Sequence, residues 1–211
     1  MLGVIFQIFT PQYRFMHHTF PLFSTPIDLA HMYWNSLLEK GDTVIDATAG
    51  NGKDTLTLCR ILDRLGGGKV VAIDIQEKAI EHTSQRICHY LPHFIDQIQL
   101  YHRSHETFPD HIPSSSVKLV VYNLGYLPGG DKSFTTITKS TLQSINHSLD
   151  LLKRGGCLSI TCYPGHREGE YEYESILSMT ADLCKETYCI CVHTFSNRHK
   201  SPVLFLIQKS R

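Results

Sequence analysis

The apolar positions of the chain recur with two alternating periods. Ile27, Ala30, Trp34, Leu37 and Leu38 stand at helical spacing and predict a helix over Pro26–Glu39, ended by Gly41. Thr43–Asp46 reads as a short apolar strand, and a glycine-rich turn separates it from a helix over about Asp54–Arg64. The rhythm continues with a strand at Lys69–Asp74, a helix at Glu77–Tyr90, and strands at Gln97–Tyr101 and Val117–Asn123. A helix over about Thr136–Leu152 is broken by Gly155 and Gly156. A strand at Cys157–Tyr163, a helix over about Tyr171–Lys185 and two strands, Tyr188–Phe195 and Val203–Lys209, complete the chain. Strands separated by helices need crossover connections and so predict a parallel sheet, whereas two successive strands predict an antiparallel finish. The expected fold is α/β: seven strands, mostly parallel with the last antiparallel, and helices on both faces. It forms one domain over 26–211, preceded by an extension, 1–25, to which the pattern assigns no structure.

Composition narrows the partners. Among 211 residues, 20 Lys and Arg balance 20 Asp and Glu, and 42% are hydrophobic, which excludes collagen-like and disordered classes. A neutral chain cannot grip a long polyanion over a whole face, so nucleic-acid contact must use a local patch. The apolar amino-terminal run is far shorter than the roughly 18–20 residues that span a bilayer, and no basic residue precedes it. The expectation is a cytoplasmic protein without a membrane segment; Met16 is a second possible start. Seven cysteines without a CxxC pair read as buried, reduced thiols, with Cys189 and Cys191 on one face of a strand. The thirteen histidines form neither an HExxH motif nor a Cys/His knuckle, so no metal is expected.

The densest motif is Asp46-Ala-Thr-Ala-Gly50-Asn-Gly52-Lys-Asp-Thr55, between the first strand and its helix. A phosphate-binding loop fails, because Ala47 stands where its first glycine belongs and Asp54 where Ser or Thr belongs. A dinucleotide fingerprint is weakened, because Thr55 takes the place of its third glycine. An acidic residue, three residues, then Gly-x-Gly resembles the first motif of the class I S-adenosyl-L-methionine (SAM)-dependent methyltransferases, which implies a Rossmann-like fold. That resemblance implies that Asp46, Thr48, Gly50, Asn51, Gly52, Asp54 and Thr55 cradle the cofactor. It places Asp74, with Ile75, at the ribose hydroxyls, where a carboxylate can accept two O–H donors. Ser104 and His105 would sit by the adenine, and Asn123 would share the cofactor pocket. Each residue also has a plainer reading: Asp46 as a helix cap, Asp74 as a turn residue, His105 as a solvated helix start.

The fourth strand ends Asn123-Leu-Gly-Tyr126-Leu-Pro-Gly-Gly-Asp131-Lys132, which is similar to the [DN]PP[YFW] segment of amino-methylating enzymes with Leu-Gly in place of Pro-Pro. A nitrogen nucleophile must offer its lone pair in line with the transferred methyl. The Asn123 side-chain oxygen and the Leu124 carbonyl can accept its N–H bonds, and Tyr126 can stack on a base. The alternative is a tight turn, which accounts for the glycines but not for the Asn and the aromatic. Asp131 and His166 are candidates to help a proton leave the amine; Asp131 as a helix cap and His166 as a surface-loop residue are the competing readings.

Together, the turn, the Ala-Ile-Asp74-Ile-Gln-Glu-Lys-Ala-Ile stretch and NLGYLPGGDK resemble the YtqB/MnmM-like family, also called rRNA methylase-like, over about Thr25–Lys209. The resemblance implies a tRNA methyltransferase that converts 5-aminomethyl-2-thiouridine at the wobble position to 5-methylaminomethyl-2-thiouridine, with an anticodon stem-loop as partner. Other acceptors on the same fold are an rRNA base, a protein or a small amine; a SAM-binding module without catalysis is the alternative of another class. The chain departs from the family pattern in the Tyr163–Gly169 loop and at Ser201, which replaces the first of two prolines. Arg198, His199 and Lys200 form a basic trio suited to RNA phosphates, or an ordinary solvated hairpin loop. Arg14, His17 and His18 are a weaker second basic group.

Overall fold

The computed structural model describes residues 20–125 and 138–211. Helix α1, Pro26–Leu37, opens with a reciprocal cap: the Asp28 amide donates to Thr25 Oγ1 and the Asp28 carboxylate accepts from the Thr25 amide, with Pro26 at the first helical position. The sheet is built from β1 (Thr43–Asp46), β2 (Lys69–Asp74), β3 (Ile98–His102), β4 (Val117–Asn123), β5 (Leu152–Cys162), β6 (Tyr188–His193) and β7 (Val203–Lys209). Its spatial order is β3-β2-β1-β4-β5-β7-β6. The pairs from β3 through β5 are parallel, and β7 inserts antiparallel to both β5 and β6, as the alternation of elements led us to expect.

Helices α2 (Lys53–Leu65) and α3 (Glu77–Tyr90) pack with α1 on one face of the sheet, over Val44, Val70, Leu119 and Val121. On the other face, α4 (Thr138–Leu151) and α5 (Arg167–Ala181) cover Ile45, Val120, Leu158, Ile160 and Phe205. These positions alternate along each central strand, because successive side chains point to opposite faces and both faces are buried.

Several boundaries differ from the sequence reading: α1 ends at Leu37, α5 at Ala181 and β6 at His193, each two to four residues early. Strand β5 begins at Leu152, so the Gly155–Gly156 pair lies inside it rather than breaking the chain. The register shifts between Val117 and Leu119, and a Cβ on Gly156 would come within 3.1 Å of three carbonyl oxygens, so the pair carries an irregularity that only glycine fits. Helix α5 starts four residues earlier than expected, because His166 caps it: Nδ1 accepts from the Gly169 amide at 3.1 Å. A short 3-10 turn, Pro92–Gln97, precedes β3.

The thiols also need correcting. All seven are free, but only Cys59, Cys157 and Cys162 are buried. Cys189 and Cys191 do share a face of β6, but it is the outward face of an edge strand, while Tyr188, Ile190 and Val192 pack inward. Among the described residues, no helix is long and apolar enough to cross a membrane.

Candidate active site

The order β2-β1-β4 places the carboxyl ends of β1 and β4 side by side at the centre of the sheet, where the crossovers leave in opposite directions and open a crevice. Asp46 ends β1 and Asn123 ends β4. Asp74 ends β2, one strand further out.

Asp46 is buried and organises the turn. Its Oδ1 accepts from the Thr48 amide at 3.1 Å and its Oδ2 from the Thr55 hydroxyl at 2.6 Å. Burial, reinforced by the nearby Asp54 charge, pushes its carboxyl up to about 7. Gly50 and Gly52 have φ of +53° and +72°, in the left-handed region that side chains avoid. Gly52 also lies against α3: a Cβ there would be 2.8 Å from Thr83 Cα. Helix α3 holds the turn through Thr83 Oγ1 to the Gly50 carbonyl at 3.2 Å and Arg86 Nε to the Asn51 carbonyl at 2.6 Å.

Asp74 accepts from the Gly50 amide and the Gln76 amide, each at 2.9 Å. Burial raises its carboxyl above the usual range, partly offset by those amides. Ile75 is exposed beside it. After β3, Ser104 Oγ accepts from the Glu106 amide at 3.2 Å, so it shapes the turn. His105 is packed edge-on to Tyr122, and its buried Nε2 has no hydrogen-bond partner among the described residues. Burial brings its imidazole down to about 4, so it is neutral near pH 7.

On the other side of the crevice, the Asn123 amide N–H donates to Thr48 Oγ1 at 2.7 Å, and the next residue, Leu124, donates to the Thr161 carbonyl at 2.9 Å. The Asn123 side-chain nitrogen donates to Asp54 Oδ2 at 3.1 Å. Asp54 Oδ1 lies 2.8 Å from Nε2 of His31 on α1, whose ring packs on Trp34. Tyr163, following β5, is hydrogen-bonded through its phenol to the Asn123 side chain. Burial, then the Asp54 charge, pushes its phenol up.

The structure therefore gathers Asp46, Thr48, Gly50, Asn51, Gly52, Asp54, Thr55, Asp74 and Asn123 around one crevice. His31, Tyr163, Thr83 and Arg86 join them without having been singled out. His31 had a signal: it is the polar residue at helical spacing from Ile27, Trp34 and Leu38 on an otherwise apolar stripe. Tyr126 and Asp131 lie outside the described residues. His166 stands at the carboxyl edge of β5, but its Nδ1 is used in the helix cap. All three members of the basic trio are exposed, and Arg198 in addition donates to the Ser24 carbonyl at 2.5 Å and lies over the Phe195 ring at 4.5 Å. Arg198 thereby ties the segment before α1 to the β6–β7 loop.

The donor set suits a cationic nucleoside cofactor. Asp46 and Asp74 concentrate negative charge beside the turn, and both are raised by burial, a cost that a bound sulfonium and ammonium would relieve. Asp74 has further lone pairs for ribose hydroxyls.

Comparison with known proteins agrees. Residues 70–209 match the family described as "Putative rRNA methylase". The chain is 37% identical over 187 residues to the chloroplastic tRNA (mnm(5)s(2)U34)-methyltransferase of Arabidopsis thaliana, covering 86% of this chain and 68% of that protein. The crystal structure of an rRNA methylase of the same description from Clostridium thermocellum superposes with a TM-score of 0.82 at 32% identity, over 89% of this chain and 98% of that one. A Streptococcus mutans protein described as a methyltransferase, solved with S-adenosylhomocysteine, superposes with a TM-score of 0.76 at 30% identity, over 89% of this chain and 99% of that one. The chain thus belongs to this rRNA methylase family, within the class I methyltransferases that use S-adenosyl-L-methionine.

Proposed function

We propose that the protein methylates the primary amine of 5-aminomethyl-2-thiouridine at the wobble position of tRNA, giving 5-methylaminomethyl-2-thiouridine. The observation that carries this reading is Asn123, held at the crevice through its main chain by Thr48 and through its side chain by Asp54. An amide oxygen and the Leu124 carbonyl, at a strand end beside the cofactor turn, are acceptors suited to the two N–H bonds of a neutral amine. The Arabidopsis relative, whose name specifies the mnm5s2U34 nucleoside, supports the same substrate.

SAM supplies the methyl group. The chain's residues have two tasks: to aim the amine and to favour its neutral form. A partly desolvated crevice disfavours an ammonium, so the acceptor's pKa falls toward neutrality on binding. Asp46, Gly50, Gly52 and Asp74 hold the cofactor in this reading, and Asn123 and Tyr126 hold the acceptor. The anticodon stem-loop meets His199 and Lys200, a small patch that suits a neutral chain and a compact RNA. The proposed compartment is cytoplasmic, since seven free cysteines suit a reducing milieu.

Incubation with labelled SAM and either tRNA lacking the final methyl or unmodified rRNA, followed by nucleoside mass spectrometry, tests the reading. Label in 5-methylaminomethyl-2-thiouridine is expected. Label confined to rRNA nucleosides would move the substrate to the ribosome, and SAM binding without transfer to any RNA would overturn the assignment.

A further inference from the structure

Asparagine has two ends of nearly equal shape and opposite hydrogen-bonding sense. An amine acceptor needs the oxygen end, because an N–H donor facing the amide nitrogen would be repelled. The choice of end in this crevice is made by Asp54. A carboxylate only accepts, so Asp54 Oδ2, 3.1 Å from Asn123 Nδ2, takes the nitrogen end. Asp54 is held in turn: its Oδ1 lies 2.8 Å from His31 Nε2, and both side chains are largely shielded, at 14% and 29% exposure. The charge at Asp54 is felt around it, since it helps to push up both Asp46 and Tyr163. The three residues come from α1, the first turn of α2 and the end of β4, so the chain His31–Asp54–Asn123 spans the crevice wall.

We propose that His31 and Asp54 are positioning residues that lock the Asn123 amide with its nitrogen inward, so that only its oxygen is offered to the acceptor amine. This rests on the amine-acceptor reading above. It assigns Asp54 to orientation of the acceptor rather than to the cofactor, and it gives a role to His31, which the sequence motifs do not include.

The lock can be reversed without losing its connections. In the double variant Asp54→Asn with Asn123→Asp, the new amide oxygen accepts from His31, the new amide nitrogen donates to the new carboxylate, and that carboxylate keeps one oxygen for the amine. Single-turnover kcat, acceptor KM, SAM affinity by calorimetry and melting temperature would be measured for the wild type, each single variant and the pair. Asp54→Asn alone is expected to lose roughly tenfold or more in kcat, with SAM affinity within about twofold of wild type. The pair is expected to regain most of that loss, although Asn123→Asp alone sets two carboxylates face to face and stays slow. A second test uses His31→Gln, which can still donate to Asp54 and should keep most of the activity, against His31→Leu, which cannot and should lose it.

A pair no faster than Asp54→Asn, or a His31→Leu enzyme with wild-type kcat, overturns the inference while wild-type transfer to the aminomethyl nucleoside still stands. Wild-type enzyme that transfers nothing to that nucleoside overturns the amine reading and the inference together.

Discussion

The Gly50 amide donates to the Asp74 carboxylate at 2.9 Å, so the turn after β1 and the acid at the end of β2 form one unit. Glycine at 50 gives the left-handed φ, and the carboxylate then fixes where the turn sits relative to the neighbouring strand. In the proposed site, removing that carboxylate acts on the cofactor twice, through the ribose and through the turn. Asp74→Ala is expected to weaken SAM affinity by about tenfold or more in calorimetry, since a charge-assisted hydrogen bond contributes about 1.5–3 kcal/mol. At saturating SAM its kcat should stay near wild type. Asn123→Ala should behave oppositely, with SAM affinity nearly kept and kcat reduced. Unchanged SAM affinity in Asp74→Ala would show that the ribose lies elsewhere.

Asp46 gives a prediction in pH. Burial, with Asp54 nearby, raises its carboxyl from 3.8 to about 7, so the folded protein binds this proton more tightly than the unfolded chain. The cost of its ionisation is absent below the unfolded value, grows as pH rises through about 4–7, and is complete above that. Asp46→Asn keeps both hydrogen-bonding neighbours, because Thr48 can donate to its oxygen and the Thr55 hydroxyl can turn to accept from its nitrogen. Without SAM, the variant should be more stable than wild type at pH 8 by on the order of 1–3 kcal/mol, with the gain gone near pH 4. Its SAM affinity should fall. Denaturant melts across this range, giving the same difference at both ends, would refute the assignment.

Gly52 is limited by conformation and by space. A side chain there would have to hold φ at +72° with its Cβ 2.8 Å from the Thr83 backbone. Gly52→Ala is expected to cost about 2–3 kcal/mol, lowering Tm by roughly 4–12 °C in a chain of this size. Gly41 has a similar φ of +82° with nothing within 4 Å of its Cβ position, so Gly41→Ala should cost only the backbone part. Equal losses at the two positions would remove α3 as the reason for Gly52.

The basic loop should separate into two roles. Arg198 is engaged with Ser24, Phe20 and Phe195, so Arg198→Ala should loosen the segment before α1, seen as faster amide exchange there, with little change in RNA affinity. Lys200→Ala should weaken binding of an anticodon stem-loop and reduce the slope of log affinity against log salt by about 1. A larger salt effect from Arg198→Ala than from Lys200→Ala would place the phosphate contact on the arginine.

Much of this was legible in sequence because it is local. A strand such as Lys69–Asp74 is a short apolar run, Glu77–Tyr90 repeats at helical spacing, and both bounds agree with the structure. The errors also have local causes. Gly155 and Gly156 have the composition of a break, but they sit inside β5, in the irregularity between the pairings of Leu152 and Cys157 with β4, where the strand continues past them. His166 reads as a loop residue, yet it supplies the cap that starts α5 early.

The sequence by itself determined the order of elements, the glycine turn with Asp46, the acid at Asp74 and the Asn at the end of β4. Each follows from periodicity or from residue types at short spacing. Only the tertiary structure decided how they meet. His31 and Asp54 are 23 residues apart, and Asp54 and Asn123 are 69 apart, and no local pattern encodes such contacts. They arise because parallel strands β1 and β4 lie side by side and α1 packs over the same sheet face as α2. The same packing gave Arg198, which the sequence presents only as one of a basic trio, its contacts to the Ser24 carbonyl and the Phe195 ring.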